Sequence, residues 1–249
     1  MNSMQDIINK TVDWLREQVE EAGVDGLLVG VSGGLDSAVV AYLIKQALPE
    51  HSLGVVLPIQ TNEKDLEDAQ KVVDESGIED LIIDLTDSHE KMYEHIQAAL
   101  KENGSWNEEK SQISDANLRV RLRMSTLYTV ASQYNYLVVG TDNAAEYYTG
   151  YFTKHGDGGV DIQPIIQLTK QEVGEMAETL GVPDSVVRKR PSADLWAGQS
   201  DEEEMGTKYR YIDRYVSGED VPEADKKTIE KLHNKTAHKR KMPTPFIFR

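Results

Sequence analysis

Apolar residues along this chain alternate between short continuous runs and longer stretches with helical spacing. The runs predict strands at residues 27–31, 53–57 and 81–85, with a fourth strand that ends at Gly140. The spaced stretches predict helices at residues 4–22, 37–47, 64–75, 88–101 and 115–134. The polar stretch KENGSWNEEKSQ before the last of these helices predicts an exposed loop. Because strands and helices alternate with connections long enough for parallel pairing, we expect an α/β fold, a doubly wound and mostly parallel sheet flanked by helices.

Beyond residue 140 the pattern becomes mainly helical. The stretch TKQE, residues 169–172, is a capping box that predicts the start of a helix extending to Leu180, and SDEE from Ser200 predicts another. The basic stretch KKTIEKLHNKTAHKRKMP predicts a helical C-terminal tail that ends at Pro243. No repeat or long linker divides the sequence, so residues 1–249 are expected to form one domain.

Composition and charge disfavour several classes of protein. The 249 residues carry a net charge of −16, which disfavours nucleic acid as a partner. No stretch approaches the roughly 20 apolar residues of a membrane span, and the acidic N-terminus lacks the pattern of a signal peptide. The chain has no cysteine, which excludes disulfides, thiolate metal sites and a cysteine nucleophile within it. We therefore expect a cytoplasmic protein without a membrane or nucleic-acid partner.

The stretch SGGLDS, residues 32–37, lies between the first predicted strand and the helix that follows it. At the carboxyl end of a parallel strand, two glycines let the backbone approach an anion, and the helix N-terminus adds partial positive charge. No lysine follows the glycines, so the turn is not the Gly-Lys-Ser/Thr loop of many nucleoside triphosphatases. Instead Asp36 stands beside the expected anion, an arrangement that needs a divalent cation such as Mg²⁺ between the two charges. The alternative is an aspartate that only caps the helix.

A second group of candidate residues follows the fourth strand, in VVGTDNAAEYYTGYFTKHGDGGVDIQPI, residues 138–165. Thr141 carries a hydroxyl that suits a purine or a ribose, and Glu146 lies one short helical turn further on. Because the carboxyl ends of parallel strands share one edge of the sheet, Glu146 is expected to reach the crevice of Asp36 and to complete a Mg²⁺ site. The Gly-rich part of this stretch is also consistent with a flexible surface loop.

Together these motifs resemble a known family. SGGLDS is similar to the signature of the ATP pyrophosphatase superfamily, whose members cleave ATP between the α and β phosphates. Within it, the ammonia-dependent NAD synthetases have segments that resemble GTDNAAEYYTGYFTKHGDGGVDIQPI, RKRPSADLWAGQSDE, NLRVRLRM and HKRKMP. The matching segments extend from about residue 26 to the C-terminus. The resemblance implies an adenine nucleotide alpha hydrolase-like fold and a homodimer.

The resemblance also implies a two-step reaction. The carboxylate of deamido-NAD attacks the α-phosphate of ATP to give an adenylate and pyrophosphate, and ammonia then attacks the acyl carbon to give NAD and AMP. The length of the chain and its lack of cysteine imply ammonia rather than glutamine as the nitrogen donor. Two alternatives stay open: another adenylating ATP pyrophosphatase, and a non-catalytic domain that senses ATP.

Site residues follow from the same resemblance. Asp36 and Glu146 are the implied Mg²⁺ ligands, and they are implied to be catalytic together with Lys170 and Ser192, the latter standing where the family usually has threonine. The implied ATP contacts are Gly30, Val31, Ser32, Gly33, Gly34, Leu35, Asp36, Ser37, Thr141, Lys170 and Ser192. The implied deamido-NAD contacts are Arg121, Lys154, Asp161, His238 and Lys239.

Several of these residues have ordinary interpretations as well. Arg119, Arg121 and Arg123 are spaced by two residues on one predicted helix, so they cannot share a face, and at least one is expected to be a surface or interface charge. Lys170 alone is a common solvent-facing residue in the first turn of a helix. The segment HKRK alone is typical of a solvated basic end. Only the joint occurrence of the motifs supports their assignment.

Overall fold

The sheet of this protein is parallel and has four strands in the computed structural model, which describes residues 3–189 and 200–248. The strands are β1 (Gly26–Gly30), β2 (Ser52–Val56), β3 (Glu79–Ile82) and β4 (Tyr136–Val138). Their order is β3-β2-β1-β4, and every neighbouring pair is parallel. The predicted parallel α/β sheet is therefore confirmed.

Strand β3 begins and ends earlier than the apolar run at 81–85 predicts. The backbone after β3 still bonds to β2 and to the residues that follow β2. Ile83 N–H donates to the Val56 carbonyl at 3.0 Å, and Leu85 N–H donates to the Pro58 carbonyl at 2.9 Å. Proline has no N–H with which to return such a bond, so the regular ladder does not continue there.

Helices connect and flank the strands. They are α1 (Met4–Ala22), α2 (Leu35–Ala47), α3 (Glu63–Ser76), α4 (Thr86–Glu102), α5 (Ser111–Tyr134), α6 (Ala144–Thr149), α7 (Lys170–Leu180), α8 (Asp184–Val187), α9 (Asp201–Met205), α10 (Tyr209–Val216) and α11 (Glu223–Lys235). The predicted loop before α5 is shorter than KENGSWNEEKSQ suggests. The Asn107 side chain accepts a bond from Glu109 N–H and starts the 3₁₀ turn Glu108–Lys110, which continues directly into α5.

The core lies on both faces of the sheet. Because strand side chains alternate, Leu27 and Val29 of β1 pack with α1, α2 and α7, whereas Leu28 packs on the other face with α5. Helix α2 is buried along most of its length, from Ser37 to Ile44, because α1, α3, α7 and the sheet surround it. That position explains why its sequence reads as one continuous apolar run.

A smaller cluster holds the C-terminal helices against α6. Its buried members come from α6, α9, α10 and α11, namely Ala145, Met205, Tyr209, Ile212 and Ile229. The predicted helical tail is thus confirmed through α11 and the 3₁₀ turn Ala237–Arg240. The helix predicted from SDEE is confirmed, because α9 begins at Asp201 with Ser200 as its N-cap residue, but the Ser200 side chain does not make the capping bond of a capping box. None of the helices in the described ranges is both long and apolar enough to span a membrane.

Candidate active site

The Gly-rich turn joins β1 to α2 and packs directly against α3. Gly33 has φ +76°, and a Cβ atom there would lie 2.5 Å from the Asp65 carbonyl oxygen and 2.9 Å from the Ala69 nitrogen. Only glycine combines that backbone conformation with such a close approach. Gly34 is the N-cap of α2 and supplies no capping side chain, so the interpretation of Asp36 as a mere helix cap is wrong.

Two hydroxyls stiffen the same turn. The Ser32 and Ser37 oxygens lie 3.0 Å apart, and the Ser37 hydroxyl also donates to the Gly34 carbonyl at 3.1 Å. The N–H groups at the start of α2 receive no side-chain cap. A rigid turn with such donors, at the carboxyl end of a parallel strand, is suited to hold a phosphate group.

Two acids and one lysine, far apart in sequence, meet beside this turn. The Lys170 ammonium donates a short hydrogen bond to Asp36 Oδ2 and lies 3.7 Å from Glu146 Oε1. The Asn143 amide donates to Asp36 Oδ1 at 3.0 Å. The side chains of Asp36, Glu146 and Lys170 are 13–17% exposed, so each charge is held largely out of water.

The capping interactions at the starts of α6 and α7 position these side chains. Asn143 caps α6 by accepting bonds from the backbone at Ala145 and Glu146, and the Glu146 carboxylate accepts from Asn143 N–H at 3.1 Å in return. Lys170 is the first residue of α7, which the predicted capping box at Thr169 does begin. The Asp213 carboxylate accepts from Lys170 N–H at 3.1 Å and fixes that end of the helix against α10.

Burial and crowding shift the protonation of the cluster. Burial, and then the charge of Asp36, raise the pKa of Glu146 to about 7. Burial opposes the charge on Lys170, but the attraction of Asp36 and Glu146 outweighs it and raises the pKa of the ammonium. Burial also raises the pKa of Asp142 well above its usual value, and one of its carboxylate oxygens has no partner among the described residues. The site therefore holds more acid than its own cations neutralise.

A tyrosine that the sequence did not single out completes the cluster. The Tyr209 hydroxyl lies 3.1 Å from Glu146 Oε1 and 3.1 Å from Asp201 Oδ2, and its ring lies 5.2 Å from the Lys170 ammonium. Tyr151 bonds the other oxygen of Asp201 at 3.1 Å. No motif marks Tyr209, because its position depends on the packing of α10 against α6.

A cavity of about 570 Å³ opens over these residues. Of the residues proposed from the sequence, those that line it are Gly30, Val31, Ser32, Gly34, Leu35, Asp36, Ser37, Thr141, Glu146, Lys170 and Lys239. Ser192 lies outside the described residues. Further acids line the wall beside Asp36 and Glu146, namely Asp65, Asp142, Asp157, Asp201 and Glu204.

Four of the five residues assigned to deamido-NAD converge beside the cavity. The Arg121 guanidinium reaches the Lys154 carbonyl at 3.4 Å, and the Lys154 ammonium donates to the His238 carbonyl at 2.7 Å. The Lys239 ammonium donates to the Gly150 carbonyl at 2.8 Å. These contacts join α5, the Gly-rich loop after α6 (residues 150–159) and the C-terminal 3₁₀ turn.

Asp161 lies apart from the other four. Its carboxylate accepts from Val138 N–H at 2.8 Å and from the Tyr128 hydroxyl at 2.9 Å, at the edge of β4. Both oxygens of Asp161 thus have protein partners that fasten the segment after β4 to the sheet.

The fold and site together define a class of α/β protein in which a Gly-rich turn suited to an anion faces two acids at the carboxyl edge of a parallel sheet. A model of the NAD synthase family matches residues 7–243, and the chain belongs to that family.

Several named relatives are similar over almost their whole length. The NH(3)-dependent NAD(+) synthetase of Alkaliphilus oremlandii is 56% identical over 241 residues, which cover 97% of this chain and 96% of the relative. The structure of NMN synthetase from Francisella tularensis has a TM-score of 0.90 and 38% identity, with 100% of both chains covered. The structure of NH3-dependent NAD synthetase from Campylobacter jejuni in complex with the nitrate ion has a TM-score of 0.78 and 28% identity, with 99% of this chain and 100% of that chain covered.

Proposed function

We propose that this protein catalyses the ATP-dependent amidation of deamido-NAD with ammonia, which yields NAD, AMP and pyrophosphate. The observation that carries the proposal is the meeting of Asp36, Glu146 and Lys170 beside the Gly-rich turn. Membership of the NAD synthase family and the names of its NH(3)-dependent relatives support the substrates. Ligase chemistry of this kind needs charge neutralisation, because two anions must meet and pyrophosphate must leave.

The residues present fit a Mg²⁺ ion. Asp36 and Glu146 offer hard carboxylate oxygens that already converge on one cationic atom, the Lys170 ammonium. Within residues 3–189 and 200–248, no group of three or more acid or histidine side chains is arranged to hold a metal by itself. Mg²⁺ does not need one, since it is usually bound by one or two carboxylates together with substrate phosphates. When bound, the ion would neutralise the triphosphate and the leaving pyrophosphate.

The chain's own groups then orient the two reactants. The N–H groups of the Gly-rich turn and the hydroxyls of Ser32 and Ser37 would hold the phosphates of ATP, and Thr141 would contact the nucleoside. The Lys170 ammonium would offset the charge that develops when the substrate carboxylate attacks the α-phosphate and pyrophosphate leaves. Ammonia then attacks the acyl carbon of the adenylate, and AMP leaves. Ser192 is proposed to lie near the triphosphate, as the resemblance to the family implies.

Deamido-NAD is proposed to bind where the Gly-rich loop after α6 meets the C-terminal turn. The proposed contacts are Arg121, Lys154, Asp161, His238 and Lys239. The basic side chains of this set supply the local positive charge that an anionic dinucleotide needs near an otherwise acidic cavity.

Product analysis tests the proposal directly. Purified protein with ATP, Mg²⁺, ammonium and deamido-NAD should form NAD, AMP and pyrophosphate in equal amounts, and glutamine should not replace ammonium. Glu146→Ala should abolish this turnover, whereas Glu175→Ala, on the exposed face of α7, should retain it. ATP binding without release of pyrophosphate would favour a sensor domain, and turnover only with another carboxylate would favour a different adenylating enzyme.

The similarity to NMN synthetase from Francisella tularensis favours a second candidate substrate, the mononucleotide with the same nicotinate carboxylate. Both substrates present the same reacting group, so the reaction at the acid pair would be identical. Comparing kcat/KM for the dinucleotide and the mononucleotide in parallel assays decides between them. We expect the dinucleotide to be preferred, as the names of the 56% identical relatives indicate.

Assembly, domain organisation and location stay predictions. We propose a cytoplasmic homodimer whose subunits each form one domain over residues 1–249. Helix α5 supports the dimer, because Leu118 and Leu122 are only half-buried while Val130 is buried. Light scattering at micromolar concentration should give twice the mass of the chain, and a monomer would contradict the proposed dimer.

A further inference from the structure

Three arginines of α5 leave the helix in different directions. Arg119 pairs with Asp115 at 2.8 Å, and Arg121 is exposed and reaches the Lys154 carbonyl. Arg123 turns inward, where its Nε donates to the Leu57 carbonyl at 3.0 Å, just beyond the end of β2. Of the three, only Arg123 lines the cavity.

The guanidinium of Arg123 lacks an acidic partner in the described part of the chain. No carboxylate oxygen described there lies within 4.0 Å of it, and its hydrogen bond to Leu57 uses one N–H of five. Among the other cations described in the cavity wall, Lys170 pairs with Asp36 and Lys189 with Asp65, whereas Lys239 donates to the Gly150 carbonyl. Most N–H donors of Arg123 are therefore not engaged in an ion pair within the described part of the protein.

The surroundings of Arg123 are apolar on the helix side. Leu127 packs against the last residue of β1 and Met124 against Gly159 of the Gly-rich loop. Burial, and then repulsion from Arg119, lower the pKa of Arg123 to about 10, which Asp157 partly opposes. Arg123 is half-buried in the cavity wall, and a charge-assisted bond to a ligand in such partly desolvated surroundings is strong.

We propose that Arg123 is a substrate-binding residue that receives an oxyanion, phosphate or carboxylate, of one of the two nucleotide substrates. The planar guanidinium can donate two parallel hydrogen bonds to such an oxyanion. The charge balance points the same way, because the described part of the cavity wall carries seven acids and the protein a net charge of −16, so substrate anions need a local cation. The inference rests on the proposed function for the identity of the two nucleotides.

Direct binding measurements test this role without turnover. Titration calorimetry of the full chain with a non-hydrolysable ATP analogue and Mg²⁺, and separately with deamido-NAD, gives each dissociation constant for wild type, Arg123→Met and Arg123→Lys. Arg16→Met is the matched control, because the Arg16 guanidinium also donates from Nε to a backbone carbonyl, that of Ala47 at 3.0 Å, but far from the cavity. Unfolding temperatures measured on the same samples separate loss of affinity from loss of structure.

We expect Arg123→Met to weaken binding of one nucleotide about tenfold or more, with the other changed much less, because a charge-assisted hydrogen bond is lost. Arg123→Lys should recover part of the loss, and Arg16→Met should bind both nucleotides as wild type does. The nucleotide that is affected identifies whose oxyanion Arg123 receives. Binding of both within twofold of wild type would overturn the proposal, as would an equal loss of both accompanied by a lowered unfolding temperature. Failure of the wild type to form NAD would instead refute the proposed function.

Discussion

Glu146 is predicted to destabilise the metal-free protein. Its pKa is raised from 4.5 to about 7 by burial and by the charge of Asp36, even with the Lys170 ammonium nearby. The folded state therefore keeps a proton on Glu146 at pH values where the unfolded chain has released it, so the contribution of this group to stability is lost as the pH rises from about 4.5 to about 7. At about 1.36 kcal/mol per pH unit, the difference in pKa corresponds to about 3 kcal/mol.

Glu146→Gln removes the charge and keeps the shape. The amide oxygen can still accept from Asn143 N–H, so the cap of α6 is retained. Urea unfolding in EDTA should show the variant about 3 kcal/mol more stable than wild type at pH 8 and about 1 kcal/mol more stable at pH 5. Its synthesis of NAD should be lost at both pH values.

Glu175→Gln on the exposed face of α7 is the control, and its stability should equal that of wild type at both pH values. A Glu146→Gln variant no more stable than wild type at pH 8 would refute the argument. The same gain at pH 5 and pH 8 would also refute it, because a difference in protonation must depend on pH.

Three further predictions concern single residues around the site. Tyr209→Phe should raise the Mg²⁺ concentration for half-maximal activity about three- to tenfold, since Glu146, a proposed Mg²⁺ ligand, loses a hydrogen-bond donor; Tyr215→Phe is the control, and an unchanged Mg²⁺ requirement contradicts the prediction. Gly33→Ala should lower the unfolding temperature far more than Gly34→Ala, because only its Cβ meets the backbone of α3 at 2.5 Å; equal unfolding temperatures would refute that packing. Asp161→Ala should destabilise the fold by about 1–3 kcal/mol, whatever its effect on the proposed contact with deamido-NAD, since the Val138 N–H and the Tyr128 hydroxyl lose their acceptor; a variant as stable as wild type would contradict this structural role.

The sequence predicts those parts of the site that depend on local structure and on the edge of a parallel sheet. The Gly-rich turn is local, because β1, the glycines and α2 are consecutive. The meeting of Asp36 and Glu146 follows from a rule of topology, since both lie just beyond strands that pair in parallel. Neither inference needs knowledge of how distant helices pack.

Such reasoning does not identify Tyr209 or Arg123, because their positions depend on how distant helices pack. Tyr209 reaches Glu146 only because α10 packs on α6 and α7, a contact between distant segments that no local spacing reveals. The two-residue spacing of Arg121 and Arg123 predicts that they diverge, but not which one turns inward. Helix α5 carries apolar residues on several sides, so its pattern does not identify the face that meets the cavity.

Lys170 links the stability of the site to its proposed chemistry. Without a metal, its ammonium is the cation that holds the repelling carboxylates of Asp36 and Glu146 together. The same two carboxylates would hold a Mg²⁺ ion bound with ATP, and the Lys170 ammonium would then be released from them. The released charge would lie beside the Gly-rich turn, where the α-phosphate is proposed to react. Competition between the ammonium and a metal ion for these carboxylates would weaken metal binding in the absence of ATP and would place a cation beside the reacting phosphate in its presence. The binding of metal and nucleotide would thereby be coupled.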